Sequence, residues 1–275
     1  MENKKLIIVG KNSFIGSNIY QSLNKTEKIK IVSLKQFLKL KNHIIDSYEY
    51  ICNCSDNKKK LNQKYKKAND FDLIILKKIK DLDIKYILLS TRRVYLPKFN
   101  IKENSKIKSL DIYSSNKLKT EKILKKKIKS RLLILRVSNI IGIKKNKKYR
   151  KVHKTFFDNY IDIIKSNKKI KYVNLFKDFL SIDQFVKIFN IILEKKIIGT
   201  YNLSLGKKIY ISEIISWLNF YSQKKNKLFQ KTNNALIQAK NSFTLNNEKL
   251  IKKIKYKPSK IELKNYCINL SKRIH

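Results

Sequence analysis

An apolar run, Leu6-Ile-Ile-Val9, ends in a glycine-bounded turn, Gly10-Lys-Asn-Ser-Phe-Ile-Gly16, and Ile15, Ile19, Tyr20 and Leu23 then repeat at helical spacing. Strand, tight turn and helix in that order constrain the fold more than any other feature, because the turn delivers the strand end onto a helix N-terminus. The alternation continues along the chain. Ile29–Leu34 and Tyr50–Cys54 read as further strands, the latter followed by a polar stretch, Asp56–Lys60. Phe71–Ile79 has helical spacing, Tyr86–Ser90 reads as a strand, Tyr113–Lys127 as a lysine-rich helix and Leu132–Val137 as a strand. Strands alternating with helices predict an α/β fold built on a Rossmann-type doubly wound parallel sheet.

After Gly142 the pattern loosens: Phe156–Ser166 and Ile211–Phe220 are helical in spacing and Tyr201–Leu205 is strand-like. Two prolines and five glycines leave no obvious flexible linker. The expected organisation is therefore two interlocked parts. Residues 1–142 with 172–205 form the dinucleotide-binding sheet domain, and residues 143–171 with 206–275 form a small C-terminal substrate-binding lobe. A chain of 275 residues that is 42% hydrophobic can bury a core of that size. No apolar run approaches the roughly 18–20 residues of a membrane helix, so no membrane span is expected. Met1-Glu-Asn-Lys-Lys5 leads directly into the first strand, without the pattern of a secretory leader. Three cysteines give no disulfide framework. Cys52 and Cys54, two apart in a strand, share a face and read as buried thiols. A cytoplasmic location follows from these features.

The formal net charge is +45, from 65 Lys and Arg against 20 Asp and Glu. Such a balance ordinarily points to nucleic acid or an anionic membrane. Only six of the 65 are arginine, however, and nucleic-acid recognition favours the planar guanidinium fork over the hydrated ammonium. The lysines also accompany a general excess of Ile and Asn. They read as solvated faces rather than a nucleic-acid site, and the run Lys125–Arg131 reads as an exposed helix end. The field they create still attracts anionic substrates. His43, His153 and His275 show no metal-ligand spacing.

Tyr113 and Lys117 lie one helical turn apart and share a face. A free phenol, with a pKa of about 10, is a poor acid-base group at neutrality, and a neighbouring ammonium brings it toward the working range. Thr91 ends a predicted strand, the edge at which an open parallel sheet places its active site. Its hydroxyl is suited to hold a substrate oxygen against Tyr113. Gly10, Lys11, Ser13, Phe14, Ile15 and Gly16 form the candidate phosphate-cradling turn, with the spacing Gly-x-x-Ser-x-x-Gly. Ser13 stands where a middle glycine would admit a pyrophosphate most easily. The end of the second strand, Ile31-Val-Ser33-Leu-Lys35, carries no acid to hold a ribose 2′-hydroxyl. Lys11 and Lys35 suit a 2′-phosphate, so NADP is the expected cofactor and NAD the alternative. Turn and triad together predict an enzyme that moves hydride between a nicotinamide and an alcohol or ketone carbon.

On these residues the chain resembles an extended short-chain dehydrogenase/reductase of the NAD-dependent epimerase/dehydratase family, which acts largely on nucleotide sugars. Gly10–Gly16 resembles the family's Gly-x-x-Gly-x-x-Gly turn, and Tyr50–Cys54 its following strand with Asn53. Asn69 resembles a helix asparagine near the nicotinamide, and Ser90-Thr91-Arg-Arg-Val-Tyr95 the motif "S-S/T-x-x-V-Y". Leu135–Gly142 resembles "L-R-x-x-N-x-x-G", and Lys177–Asp183 resembles "R-D-F-hydrophobic-H-V-D-D". The resemblance implies catalytic Thr91, Tyr113 and Lys117, with Lys117 also gripping the nicotinamide ribose. It implies Asn53 and Asn69 at the cofactor, and Asn139 and Lys177 at the substrate phosphates. Ser13, Leu96, Lys177 and Gln184 depart from the pattern.

Dehydratases of this family carry Asp-Glu directly after the catalytic threonine, as acid and base for water loss. Arg92 and Arg93 stand there instead, and arginine neither gives nor takes a proton near neutral pH. The expected reaction is nucleotide-sugar 4-keto reduction or C4 epimerisation, and the alternative is a non-catalytic NAD(P)-binding sensor or scaffold. A homodimer through the Tyr113–Lys127 helix is possible, although its lysines repel across a two-fold axis.

Overall fold

In the computed structural model, residues 5–23, 28–56, 60, 62–143, 156–166, 169–222, 228–232 and 234–274 are described. The first half runs β1 (Lys5–Val9), α1 (Phe14–Leu23), β2 (Lys28–Val32), the short helices α2 (Leu34–Lys39) and α3 (Asn42–Asp46), β3 (Tyr50–Asn53), α4 (Phe71–Lys78), β4 (Lys85–Thr91), α5 (Ile112–Ile128) and β5 (Leu132–Val137). Then come β6 (Asn139–Ile141), α6 (Phe156–Ser166), β7 (Ile170–Val173), β8 (Phe176–Lys177), β9 (Phe179–Ser181), α7 (Ile182–Glu194) and β10 (Gly199–Leu203). The chain closes with β11 (Ile209–Tyr210), α8 (Ile211–Leu218), β12 (Phe229–Thr232), α9 (Ala235–Asn241), α10 (Glu248–Ile254) and α11 (Lys260–Ile274).

Strands with continuous apolar runs can be buried on both faces, which is the signature of a parallel sheet. Six of them form one sheet in the order β10-β5-β4-β3-β1-β2, with every pairing parallel. Alternate residues supply its two cores. Leu6, Ile8, Tyr50, Cys52, Leu133 and Leu135 face α1, α7, α8 and α11. Ile7, Val9, Ile51, Tyr86, Ile134 and Leu88 face Phe37 of α2, Ile45 of α3, Ile75 of α4 and Leu124 of α5. The fold is thus the expected Rossmann-type α/β sheet. The winding direction reverses beside β1, where Val9 lies opposite both Val32 and Asn53. That reversal opens a crevice at the carboxyl ends of the strands.

Side-chain caps fix where the helices begin. Ser33 with Gln36, Asp111 with Ser114 and Ser181 with Gln184 form reciprocal capping boxes on α2, α5 and α7. Gln184 also donates to the Ser259 carbonyl at 2.9 Å, which gives this departure from the family pattern a structural role. The sequence pattern missed α2, α3 and the two-stranded ribbons β6–β9, β8–β11 and β7–β12, whose elements of two to six residues carry no readable period, and it also left the longer α7, α9, α10 and α11 unread.

Two buried polar groups tie distant segments together. Asp178, with no exposed surface, accepts from the backbone N–H groups of Leu205 (2.8 Å), Gly206 (3.0 Å) and Leu245 (3.2 Å). Arg136 of β5 makes a two-pronged bond to Glu121 of α5, at 2.6 and 3.1 Å, with both side chains 1% exposed. Glu121 also accepts from the Ser90 hydroxyl at 2.5 Å. Arg136 donates to Tyr95 Oη at 2.6 Å, and Tyr95 donates in turn to Asn202 of β10 at 3.0 Å. Removing one partner of a buried ion pair strands the other, at a cost of about 3–5 kcal/mol. Glu121→Gln is accordingly expected to lower the urea unfolding free energy by about that amount, and a loss below about 1 kcal/mol would mean that the network holds little.

Candidate active site

β4 carries Thr91 to the carboxyl edge of the sheet, where its hydroxyl accepts from Arg93 N at 3.2 Å and starts a single 3-10 turn, Arg92–Val94. Asp111, the cap of α5, pairs with Arg93 Nη2 at 2.5 Å, and the Arg93 guanidinium lies 5.8 Å from the Tyr113 ring centre. The cap of the helix and the end of the strand are thereby locked together. This ties the strand end that carries Thr91 to the helix start that carries Tyr113, and Lys117 follows one turn along α5.

Lys117 is the one buried lysine among the described residues. Its ammonium lies 2.9 Å from Asp56 and 3.8 Å from Asp72. Asp72 is itself buried in α4 and accepts from Asn53 Nδ2 at 2.8 Å and Tyr86 Oη at 2.7 Å. Burial pushes the Asp72 carboxyl up to about 6, against the pull of Lys117. Burial works to lower Lys117, but Asp56 and Asp72 outweigh it and hold the ammonium well above the ordinary lysine range. Tyr113 is raised on balance: burial lifts it, Lys117 and Arg93 pull it down, and Asp56 and Asp72 lift it again. The sequence alone suggested a phenol lowered by its lysine. The difference lies first in burial of the phenol, and then in two carboxylates that offset part of the pull of Lys117.

A groove runs past these groups, lined by Asp56, Tyr65, Asn69, Asp72, Tyr113 and Lys117. Asn69 ends a 3-10 turn before α4, half-buried on the same groove. Asn53, at the end of β3, donates its amide to Asp72, and its oxygen accepts from Ser55 N (3.0 Å) and Oγ (2.8 Å).

The glycine turn reaches the groove through β3. Gly10 has φ +130°, and a Cβ there would stand 3.0–3.1 Å from the Cys54 carbonyl and Ser55 N. Two residues beyond Cys54, Asp56 meets Lys117. Ser13 turns its hydroxyl onto Gly16 N at 2.9 Å and caps α1, in space that a Cβ on Gly16 would fill, 2.5 Å from Ser13 Oγ. Its side chain therefore bonds within the turn. Phe14 and Ile15 open α1 half-buried, and both pack on the core beneath. Lys11 N and Gly10 N both donate to the Val32 carbonyl, at 3.1 and 2.7 Å. That closes the turn on the end of β2, with Lys35 exposed two residues past Ser33 and Lys11 exposed beside it. A helix N-terminus at the switch point, a shielded ammonium and two exposed lysines suit an anionic dinucleotide with ribose hydroxyls.

Asn139 opens β6, which pairs with β9, and Lys177 ends β8, which pairs with β11. Asn139 Nδ2 donates to the Asp178 carbonyl at 3.0 Å, and its backbone N–H donates to the same oxygen at 3.3 Å. Burial, then Arg92 and Arg93, pushes the half-buried Lys177 ammonium down to about 8. Asp72 and Glu121 were not singled out from sequence, and Asp56 was read only as the start of a polar stretch. Glu121 had a visible signal, since it sits four residues after Lys117 on the same helix face. Asp72 had none, because a carboxylate in a helix usually faces water.

The model of the NAD dependent epimerase/dehydratase family matches residues 6–204. The chain belongs to this family, whose members are enzymes of the extended short-chain dehydrogenase/reductase type. No curated protein sequence matches it. Among solved structures it is similar to a UDP-N-acetylglucosamine 4-epimerase from Methanobrevibacter ruminantium M1 in complex with UDP-N-acetylmuramic acid, with TM-score 0.76 and 20% identity over 99% of this chain and 98% of that one. RMD from Pseudomonas aeruginosa, complexed with NADPH, aligns with TM-score 0.77 and 15% identity over 99% and 97% of the two chains. The ADP-L-glycero-D-manno-heptose-6-epimerase of Helicobacter pylori gives TM-score 0.76 and 15% identity over the same shares, 99% and 97%. At these identities the likeness is one of fold.

Lys117→Met would leave Asp72 buried without its cation. The variant is expected to lose about 3–5 kcal/mol at pH 8. Without Lys117 the Asp72 carboxyl rises further above about 6, so the folded variant binds more protons than the wild type and recovers part of the loss at pH 5. Urea unfolding at the two pH values measures this, and an equal loss at both would contradict the assigned pair.

Proposed function

We propose that the chain is an NAD(P)-dependent nucleotide-sugar 4-keto reductase or C4 epimerase, with Thr91, Tyr113 and Lys117 as its acid-base set. The observation that carries this reading is the placement of Tyr113 and Lys117 on one face of α5, beside Thr91 at the end of β4. Gly10–Gly16, Asn53 and Asn69 would hold the dinucleotide, and Lys11 and Lys35 favour NADP over NAD through a 2′-phosphate. A bound nicotinamide supplies or accepts hydride at the sugar carbon. The chain's own part is the proton at the sugar oxygen.

Tyr113 is raised above the ordinary phenol range and so holds its proton at neutral pH. It is therefore a donor toward a carbonyl oxygen in the reductive direction and, as phenolate, the acceptor in the reverse direction. Thr91 Oγ1 steadies that oxygen, and Lys117 stabilises the phenolate left behind. Arg92 and Arg93 after Thr91 supply no acid or base for water loss, which argues against a dehydratase. The alternative is a dinucleotide-binding protein without turnover, favoured by the engagement of Lys117 with Asp56 and Asp72.

Titration with NADPH and NADH, followed by nicotinamide fluorescence, tests the cofactor assignment. Tyr113→Phe is then expected to lower turnover at least about 100-fold while leaving dinucleotide binding unchanged. Unchanged turnover sinks the mechanism. Binding with no turnover in the wild type makes the alternative correct.

A further inference from the structure

Three cations converge beyond Thr91. Arg92 stacks its guanidinium 3.7 Å from the Phe243 ring centre, and Phe243 N donates to the Phe176 carbonyl at 3.2 Å. This stitches Arg92 to β8, in which Lys177 follows Phe176. Arg93 lies over Tyr113 and takes the Asp111 carboxylate. Among the described residues, neither Arg92 nor Lys177 forms a close ion pair: Asp111 attracts Arg92 but is bonded to Arg93, and no carboxylate acts on Lys177. Most of this chain's basic residues are exposed lysines, but here two of only six arginines are consecutive, Arg92 half-buried and Arg93 exposed beside it. Burial and then Arg93 push Arg92 down to about 10, as burial and both arginines push Lys177 down to about 8. The charged forms are held at a disadvantage that a bound anion would relieve.

We propose that Arg92, Arg93 and Lys177 recognise an acidic group carried by the sugar, so that the substrate class is a nucleotide-linked sugar acid. This rests on the nucleotide-sugar reading above. The arginines directly follow Thr91, and Arg93 overlies Tyr113, so the positive charge stands at the reacting end of the substrate. The planar fork of arginine matches a carboxylate two bonds at a time, which an ammonium does not. The diphosphate is the other source of anionic oxygen in such a substrate, and every nucleotide sugar carries it equally.

The test separates the two sources. The NADPH-loaded protein is titrated calorimetrically with uridine, thymidine and guanosine diphosphate sugars, each as the uronate and as the neutral hexose. The wild type is expected to bind a uronate at least about 30-fold more tightly than its hexose. Arg92→Gln is expected to erase that difference while keeping hexose affinity. Uronate affinity should also fall above about pH 8, as Lys177 loses its proton. Equal affinity for uronate and hexose in the wild type overturns the proposal and leaves the nucleotide-sugar reading intact. Arg92→Gln weakening both ligands alike also overturns it and assigns the cluster to the diphosphate. Binding of no sugar nucleotide overturns both readings together.

Discussion

The Arg136–Glu121 pair is the contact on which the working edge of the molecule depends. It joins a strand to a helix at the level where β4 ends, and it draws in Ser90 from that strand and Tyr95 from the loop after it. Tyr95 then reaches Asn202 on β10, so the network crosses three adjacent strands of the sheet. Two desolvated charges are stable here because each is bonded at several atoms, which is the condition for burying an ion pair at all. The position of α5 along its axis is set by Glu121, and Tyr113 and Lys117 are carried on the same helix. The placement of Tyr113 and Lys117 is thus tied to packing one to two turns further along the helix.

Charge in this protein is distributed on two scales. Among the described residues most lysines are exposed, where water screens them and single residues matter little. Against that background the shielded cations Lys117, Arg136, Arg92 and Lys177 are exceptional, and they divide into two kinds. Lys117 and Arg136 are matched by carboxylates at close range. Arg92 and Lys177 form no such pair, and burial, then repulsion among the cations themselves, lowers their pKa values. A net charge of +45 says nothing of this division, which appears only when burial and partner are considered residue by residue.

The sheet was legible from sequence because its strands are short apolar runs with turn signals between them, and the segment Leu132–Val137 was recovered to the residue. The edges of α1 and α5 moved by one residue, and the strand read as Tyr201–Leu205 lies at Gly199–Leu203. The motif residues Thr91, Tyr113 and Lys117 were legible because a strand end and a helix turn each fix a spacing. Their electrostatics were not. Asp56 and Asp72 lie 61 and 45 positions before Lys117, and only the crossing of α4, α5 and the chain after β3 brings them to its ammonium. Ser13 and Gln184 looked like losses from a pattern, and each proves to be a helix cap. A cap depends on local backbone geometry, which one letter in a motif does not convey.

Asp178 has one more consequence. It is pinned by backbone N–H groups from two separate stretches of chain, and Lys177 is the residue before it. The stem of that ammonium is therefore fixed at its root when the protein folds, and its conformational freedom is surrendered then rather than on encounter with a ligand. Arg92 is restrained in the same way by the ring it lies against. Such a corner does not need to assemble around an anion. Its selectivity is governed by how readily the incoming group sheds water, and by whether its shape matches charges that are already in place.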